Sequence, residues 1–147
     1  MIRITLPLPH SILSPNSRGH WGTKCRAVRA HRERARWEIA LANGGDLFLA
    51  ECRIDITAFH KIARRRDRDN LISACKSYFD GLADAGLVKD DTGITLGPVR
   101  FEVDKQNPRL EMEITWPPQA QAQAASSAAS SRTSRSSSGS GKRSSAR

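Results

Sequence analysis

The chain of 147 residues has a formal net charge of +9, with 24 Lys and Arg against 15 Asp and Glu. That length predicts one domain rather than two, and the basic balance favours a nucleic acid or another anionic partner. No apolar run is long enough to cross a bilayer, and the opening segment is too short and too broken by proline for a signal peptide. Three separated cysteines without a CxxC pair argue against a disulfide framework and favour a cytoplasmic protein.

The first half of the chain predicts a strand, a helix and a second strand. Apolar residues alternate over residues 1–8, which is the period of a half-buried strand. After a loop, Thr23 is expected to cap a helix that runs to about Asn43, where two glycines at 44–45 end it. A clearer alternation over residues 50–60 predicts the second strand.

The second half predicts a helix and two more strands. Apolar residues at helical spacing indicate an amphipathic helix over residues 69–86, with Gly86 as its stop. Two strands, 94–103 and 109–116, are expected to form a hairpin through residues 104–108. The order β-α-β-α-β-β predicts an α+β fold with layers of the α/β type: a small mixed sheet of about four strands packed by two helices.

The C-terminal segment has a composition that does not support a core. Residues 119–147 contain five Lys or Arg, no acid and no large apolar residue. Such a segment cannot bury enough surface to offset its ordering entropy. We therefore expect a folded domain over residues 1–117 and a disordered, basic, Ala/Ser-rich tail over residues 118–147.

The most highly charged stretch, residues 64–69, places four arginines directly against Asp67 and Asp69. One interpretation is a solvated loop, in which surface salt bridges and a helix cap at either aspartate account for the charges. The other is a site where cation-binding carboxylates lie within a surface that attracts a polyanion. The residues alone leave both interpretations open.

A polar stripe on the following helix extends from this loop. A helical wheel places four residues on one face: Asp69, Ser73, Lys76 and Asp80. Asp90 and Asp91 follow the helix in an acidic turn. Two carboxylates about 5 Å apart would repel by roughly 3 kcal/mol at an effective dielectric near 20. Either the arginines or a divalent cation would have to offset that repulsion, and hard oxygen ligands favour Mg²⁺ or Mn²⁺.

These segments together resemble the RusA-like family of Holliday-junction resolvases. The resemblance rests on "RRRDRDNL", on a helix carrying Lys76 and Asp80, and on "AGLVKDDTGI". The family pattern is a basic run, Asp-x-Asp-Asn, a helix with Lys and Asp-Gly/Ala-Leu, and then Asp-Asp. The opening "ITLPLPHS" and the nearby Asn16 are similar to the family's first strand and turn, so the resemblance covers roughly residues 2–116.

The resemblance implies a crossover junction endodeoxyribonuclease, a homodimer that uses Mg²⁺ to nick two strands of a four-way DNA junction in recombination and repair. The implied catalytic residues are Asp67, Asp69, Asp91 and Lys76, and the implied metal ligands are the same aspartates with Asp90. The expected DNA contacts are Arg64, Arg65, Arg66, Arg68 and Asn16. The family also suggests a bacterial, phage or prophage setting.

One departure from the family pattern concerns the lysine. The commoner pattern has it four residues after the second aspartate of the pair, where this chain has Ser73; Lys76 lies seven after. Three extra residues keep the helical face and shift the side chain by about 4.5 Å along the axis. The departure leaves three hypotheses: a resolvase with the same chemistry, a nuclease of branched DNA in general, and a non-catalytic DNA- or junction-binding protein.

Overall fold

The computed structural model describes residues 1–43 and 48–118; the predicted stop at glycines 44–45 and the predicted disordered tail lie outside this range. The fold is α+β, as predicted, with one four-stranded mixed sheet. The strands are β1 (Ile2–Leu6), β2 (Cys52–His60), β3 (Ile94–Val103) and β4 (Arg109–Thr115), and the helices are α1 (Trp21–Asn43), α2 (Arg68–Ala74) and α3 (Lys76–Asp84). Within the described range, no helix is long and apolar enough to span a membrane.

The strand order β1-β4-β2-β3 makes the predicted hairpin wrong. β4 pairs antiparallel with β1 and β2, whereas β3 pairs parallel with β2. Residues 104–108 do reverse the chain, but they carry it across the end of β2. The burial pattern explains why β4 lies inside the sheet and β3 at its edge. β4 buries Leu110, Met112 and Ile114 completely, while β3 has no buried residue.

The sheet has one apolar and one polar face. Alternate residues of β2, namely Cys52, Ile54, Ile56 and Ala58, are buried as the alternation predicted. The opposite face carries ion pairs, including Arg3 with Glu113 on the neighbouring strand. The helices therefore cover a single face, which gives two layers.

The helix predicted over residues 69–86 is divided into α2 and α3 at Cys75. The backbone N–H of Tyr78 bonds to the Cys75 carbonyl at 2.8 Å, an i→i+3 contact that tightens the turn there. The predicted apolar face persists through the break, since Cys75, Tyr78 and Leu82 are fully buried. Gly86 ends α3 as predicted, with φ of +82°, a value that favours glycine.

α1 begins three residues earlier than predicted. The cap is the ring of His20, whose Nδ1 accepts a hydrogen bond from the Gly22 backbone N–H at 3.1 Å, rather than the hydroxyl of Thr23. A histidine ring is an uncommon cap, so the ordinary cap preferences pointed to the threonine.

α1 and α3 pack closely at Gly81. A Cβ built on Gly81 would clash with the backbone carbonyl of Arg32 and lie 3.0 Å from the Ala35 Cβ. The clash is with helix backbone, which cannot rotate away. A glycine at this position therefore sets the spacing between the two helices.

We expect Gly81→Ala to destabilise the fold. The gain in helix propensity is about 1 kcal/mol, and overpacking against backbone costs about 1–3 kcal/mol, so the net change is a loss. Thermal unfolding should show a Tm several degrees lower. Gly22→Ala is the control, because a Cβ there meets only the exposed His20 ring. An unchanged Tm in Gly81→Ala would contradict the close packing.

His31 links α1 to α3 and to the loop after β1. Its ring stacks on Tyr78 with centroids 4.8 Å apart, and its Nε2 accepts a hydrogen bond from the His10 backbone N–H at 2.9 Å. That bond needs a neutral ring, because a protonated Nε2 can only donate. Burial, followed by the charge of His10, lowers the pKa of His31.

This lowered pKa predicts a loss of stability in mild acid. The unfolded chain takes up the proton first, so the contribution of His31 is complete above the ordinary histidine pKa of 6.5 and is lost as the pH falls through the folded value. We expect His31→Gln to reduce the change in unfolding free energy between about pH 7.5 and pH 5, measured with urea. The part due to His60, whose pKa is also lowered by burial, should remain.

Candidate functional site

The arginine-rich loop between β2 and α2 ends in a helix cap. Asp67 has an extended backbone (φ −94°, ψ 128°) and directly precedes α2. Its Oδ1 accepts hydrogen bonds from the backbone N–H groups of Asp69 at 2.8 Å and Asn70 at 3.1 Å. These donors have no partner within the helix, so the cap gives Asp67 a structural role.

The aspartates do not neutralise the arginines of this loop. Arg64, Arg65 and Arg68 are exposed and Arg66 is half-buried. In the part of the chain that the structure describes, none of the four forms an ion pair within 4.0 Å. Salt bridges therefore do not account for the loop, and its positive charge faces solvent.

A cavity of about 390 Å³ opens beside these arginines. Its lining includes Arg64, Arg65, Arg66, Asp67, Asn70, His60, Phe101 and Ser14. The His60 ring stacks on Phe101, and its Nε2 is buried without a hydrogen-bond partner in the described range. Burial, then the charge of Arg66, lowers the pKa of His60, so the wall of the cavity is neutral while its rim is cationic.

Lys76 connects α3 to the acidic turn before β3. Its Nζ lies 2.9 Å from Asp91 Oδ2 and 3.7 Å from Asp80 Oδ1. The side chains of Lys76 and Asp91 are 66% and 46% exposed, so solvent screens the pair and it adds little to stability. The arrangement is one ammonium held between two carboxylates on an open surface.

These contacts determine the protonation state of the lysine. The hydrogen bond to Asp91, and then the charges of Asp80 and Asp91, raise the pKa of Lys76 above its ordinary value. The side chain is therefore positively charged at neutral pH and cannot accept a proton. It can bind an anion or offset negative charge.

Asp90 has a different role in the same turn. Its Oδ1 accepts hydrogen bonds from the Thr92 hydroxyl and from the Thr92 backbone N–H, the latter at 3.0 Å. These bonds lower the pKa of Asp90 and make it the cap of the short 3₁₀ turn Asp91–Gly93.

The structure places the predicted site residues in two groups. One lies at the start of α2 with Asp67 and the arginines, and the other joins Lys76, Asp80 and Asp91. Within residues 1–43 and 48–118, no three His, Cys, Asp or Glu side chains converge closely enough to hold a metal ion. Asp69 lies in the first turn of α2, whereas Lys76 begins α3 beyond the break at Cys75.

Asn16 stands apart from both groups. It is exposed in the turn that follows the first short 3₁₀ segment (Ser11–Leu13), and it lies outside the lining of the arginine cavity. Ser14, two residues earlier, occupies that lining instead.

The donor chemistry of the carboxylates fits a hard divalent cation. Asp69 is exposed, and among the described residues its side chain forms no hydrogen bond; Asp67 Oδ2 and Asp91 Oδ1 are also unbonded there. Carboxylate oxygens with room for water are the ligands that Mg²⁺ and Mn²⁺ prefer. At Asp91 Oδ2, however, a cation would compete with the Lys76 ammonium.

Sequence reasoning left two neighbours of the lysine without a role. Asp80 was placed on the polar stripe, and its i,i+4 spacing from Lys76 was the signal for their contact. Lys24 of α1 lines a cavity of about 400 Å³ together with Lys76 and Asp80. No local pattern indicates that Lys24 shares this cavity, because its position depends on how α1 packs against α3.

Comparison with known proteins gives a relative but no family. No family model matches the chain. A protein of Xylella fastidiosa (strain Temecula1 / ATCC 700964), described as an uncharacterized protein, is 39% identical over 93 residues. The match covers 61% of this chain and 61% of that relative, so the chain spans less than two thirds of the relative's length. The likeness assigns no activity to either protein.

We expect Asp91→Asn to lower the pKa of Lys76 toward its ordinary value, because the shorter of its two contacts is lost. An NMR titration of the lysine side chains measures this change. A raised lysine pKa stabilises the fold below its ordinary value near 10.5, and that contribution is lost only as the pH rises through the raised value. The contribution is thus constant at neutral pH, and its pH dependence is confined to alkaline pH. Asp69→Asn should leave the Lys76 titration unchanged, and an unchanged pKa in Asp91→Asn would refute the pairing.

Proposed function

We propose that this chain is a Mg²⁺-dependent, structure-selective endonuclease that resolves four-way DNA junctions by paired nicks during recombination and repair. The observation that carries the proposal is the Lys76 ammonium held between Asp80 and Asp91 on an exposed surface. The resemblance to RusA-like resolvases supports the same assignment. A homodimer suits it, because the two strands to be cut are related by two-fold symmetry.

The arginines would hold the DNA backbone. Arg64, Arg65 and Arg68 are exposed, and within the described range they have no acidic partner that would compete with a phosphate. Contacts of this kind provide affinity and orientation without reading the base sequence. A structure-selective enzyme needs that property, since a junction is defined by its shape. Asn16 would add a contact from the N-terminal turn.

The carboxylates would hold the metal. Asp67, Asp69 and Asp91 are the proposed ligands of Mg²⁺ or Mn²⁺, with Asp90 as a further one. Among the described residues these carboxylates lie in two groups, so one shared ion would require the groups to approach each other. When bound, the ion would supply an activated water and stabilise the leaving oxygen of the phosphodiester. Lys76, charged at neutral pH, would bind the scissile phosphate and offset the negative charge that develops on it.

A second candidate function is non-catalytic binding of DNA or DNA junctions. The observation that favours it is that the Lys76 ammonium pairs with Asp91 and lies 3.7 Å from Asp80, so it offsets one of their two negative charges. Asp67 likewise has a complete structural explanation as a helix cap. On this alternative, the aspartates only order a surface whose arginines bind phosphate.

A nicking assay tests the proposal. A synthetic four-way junction and a linear duplex with the same arms are incubated with the full chain, in Mg²⁺ and in EDTA. We expect paired symmetric nicks in the junction alone, and only with Mg²⁺. Asp69→Asn should lower the rate by roughly a hundredfold or more while junction binding is kept.

The control for this variant is Glu51→Gln, which removes an exposed acidic charge just before β2 and should leave nicking unchanged. Full activity in Asp69→Asn would sink the assignment of the metal ligands. Junction binding without cleavage in Mg²⁺ or Mn²⁺ would favour the binding protein. Cleavage of flaps and forks at the same rate as junctions would indicate a general branched-DNA nuclease.

A further inference from the structure

Three neighbouring cavities lie side by side from the Lys76 site along α1, and we call this row the track. The first, about 300 Å³, is lined by Ser73 and Lys76 among others. The second, about 400 Å³, contains the same two residues together with Lys24 and Val28. The third, about 690 Å³, again contains Lys24 and Val28 and continues along the helix. Each cavity shares lining residues with the next, so the three lie next to one another across α3 and α1.

The lining of the third cavity, which we call the α1 groove, is net cationic: it contains Trp21, Lys24, Arg29, Arg32 and Arg36 together with the acids Glu33 and Asp84. Arg32 is paired with Asp84 of α3. Lys24, Arg29 and Arg36 form no ion pair within 4.0 Å in the part of the chain that the structure describes. The stretch from Lys24 to Arg36 measures about 18 Å along the helix. Its repeated positive charges suit a ligand with repeated negative charges, such as a run of phosphates.

Trp21 adds an aromatic surface at one end of the α1 groove. It is the first residue of α1 and is 77% exposed, with Lys24 one turn away. An aromatic ring beside a row of cations is the combination that binds single-stranded nucleic acid, because unpaired bases stack on the ring while phosphates follow the cations. Paired bases inside a duplex do not offer their faces in this way.

We propose that the α1 groove binds a single DNA strand, with phosphates on Lys24, Arg29 and Arg36 and one unpaired base stacked on Trp21. The inference rests on the proposed function in one respect: the track would carry this strand to or from the Lys76 site. Charge complementarity selects the occupant, since the three cations along the groove need an anionic ligand with repeated charges.

Strand binding can be measured apart from cleavage. Fluorescently labelled oligothymidine, and its duplex with oligodeoxyadenosine, are titrated with the full chain in EDTA at several salt concentrations. We expect Arg29→Ala to reduce the slope of log affinity against log salt by about 0.7 for the single strand. Trp21→Ala should weaken oligothymidine binding by about fivefold or more without changing that slope.

The same helix supplies matched controls. Arg26→Ala removes the same charge and Trp37→Ala the same ring from exposed positions outside the lining of the α1 groove. Both variants should bind oligothymidine like the parent chain. Thermal unfolding of all four variants verifies that the fold is intact, as expected for exposed positions.

Several outcomes would overturn the inference. Equal losses in groove and control variants would mean that only net charge matters. Tighter binding of duplex, with no effect of Trp21→Ala, would make the occupant a duplex arm. Dissociation of a dimer in Trp21→Ala, seen by sedimentation, would make the surface an interface between copies.

The inference and the proposed function can fail separately. A chain that nicks junctions while its groove variants bind oligothymidine normally would refute the groove alone. A chain that never nicks, but whose Trp21→Ala and Arg29→Ala variants lose strand binding as expected, would refute the nuclease and keep the groove.

Discussion

The parallel pairing of β2 with β3 is the constraint on which the rest of the structure depends. Parallel neighbours require a crossover that returns the chain along the sheet, and α2 with α3 form that crossover. The crossover opens with the arginine loop and the Asp67 cap, and it closes with the turn that contains Asp90 and Asp91. Most candidate site residues thus belong to one connection, even though β4 inserts elsewhere in the sheet.

The same geometry explains why these residues form two groups. A crossover helix runs antiparallel to the strands, so its beginning and its end lie toward opposite ends of the sheet. The Asp67 cap is fixed at the carboxyl end of β2, whereas Asp91 directly precedes β3. Lys76 lies midway along the connection and its long side chain reaches the second group. On the proposed function, the lysine and a metal compete for one carboxylate, that of Asp91.

The packing within the helix layer depends on a single small residue. Gly81 allows α3 to approach the backbone of α1, and this approach brings Lys24 beside Lys76 and Asp80. His31 adds a stacked contact with Tyr78 in the same interface. A larger side chain at position 81 would separate the helices and with them the walls of the track that leads to the α1 groove.

The sequence by itself determined the features that depend on local physics. Strand alternation, the apolar face of the second helical segment and its stop at Gly86 follow from side-chain periodicity and from a backbone angle that favours glycine. The α+β class follows from the order of those elements. A cap at Asp67 was one of the alternatives the residues allowed.

Only the tertiary structure decided the strand order, the separation of Asp67 from Asp91 and the cavity that Lys24 shares with the Lys76 group. Each of these depends on non-local packing. The strand order depends on which strand is buried between two others, the separation depends on where the crossover ends, and the shared cavity depends on how closely two helices approach. The hairpin prediction was wrong for this reason, because a reversing turn looks the same whether the next strand pairs beside it or across β2. Local pattern identifies elements and their faces, whereas burial in the assembled core selects their neighbours.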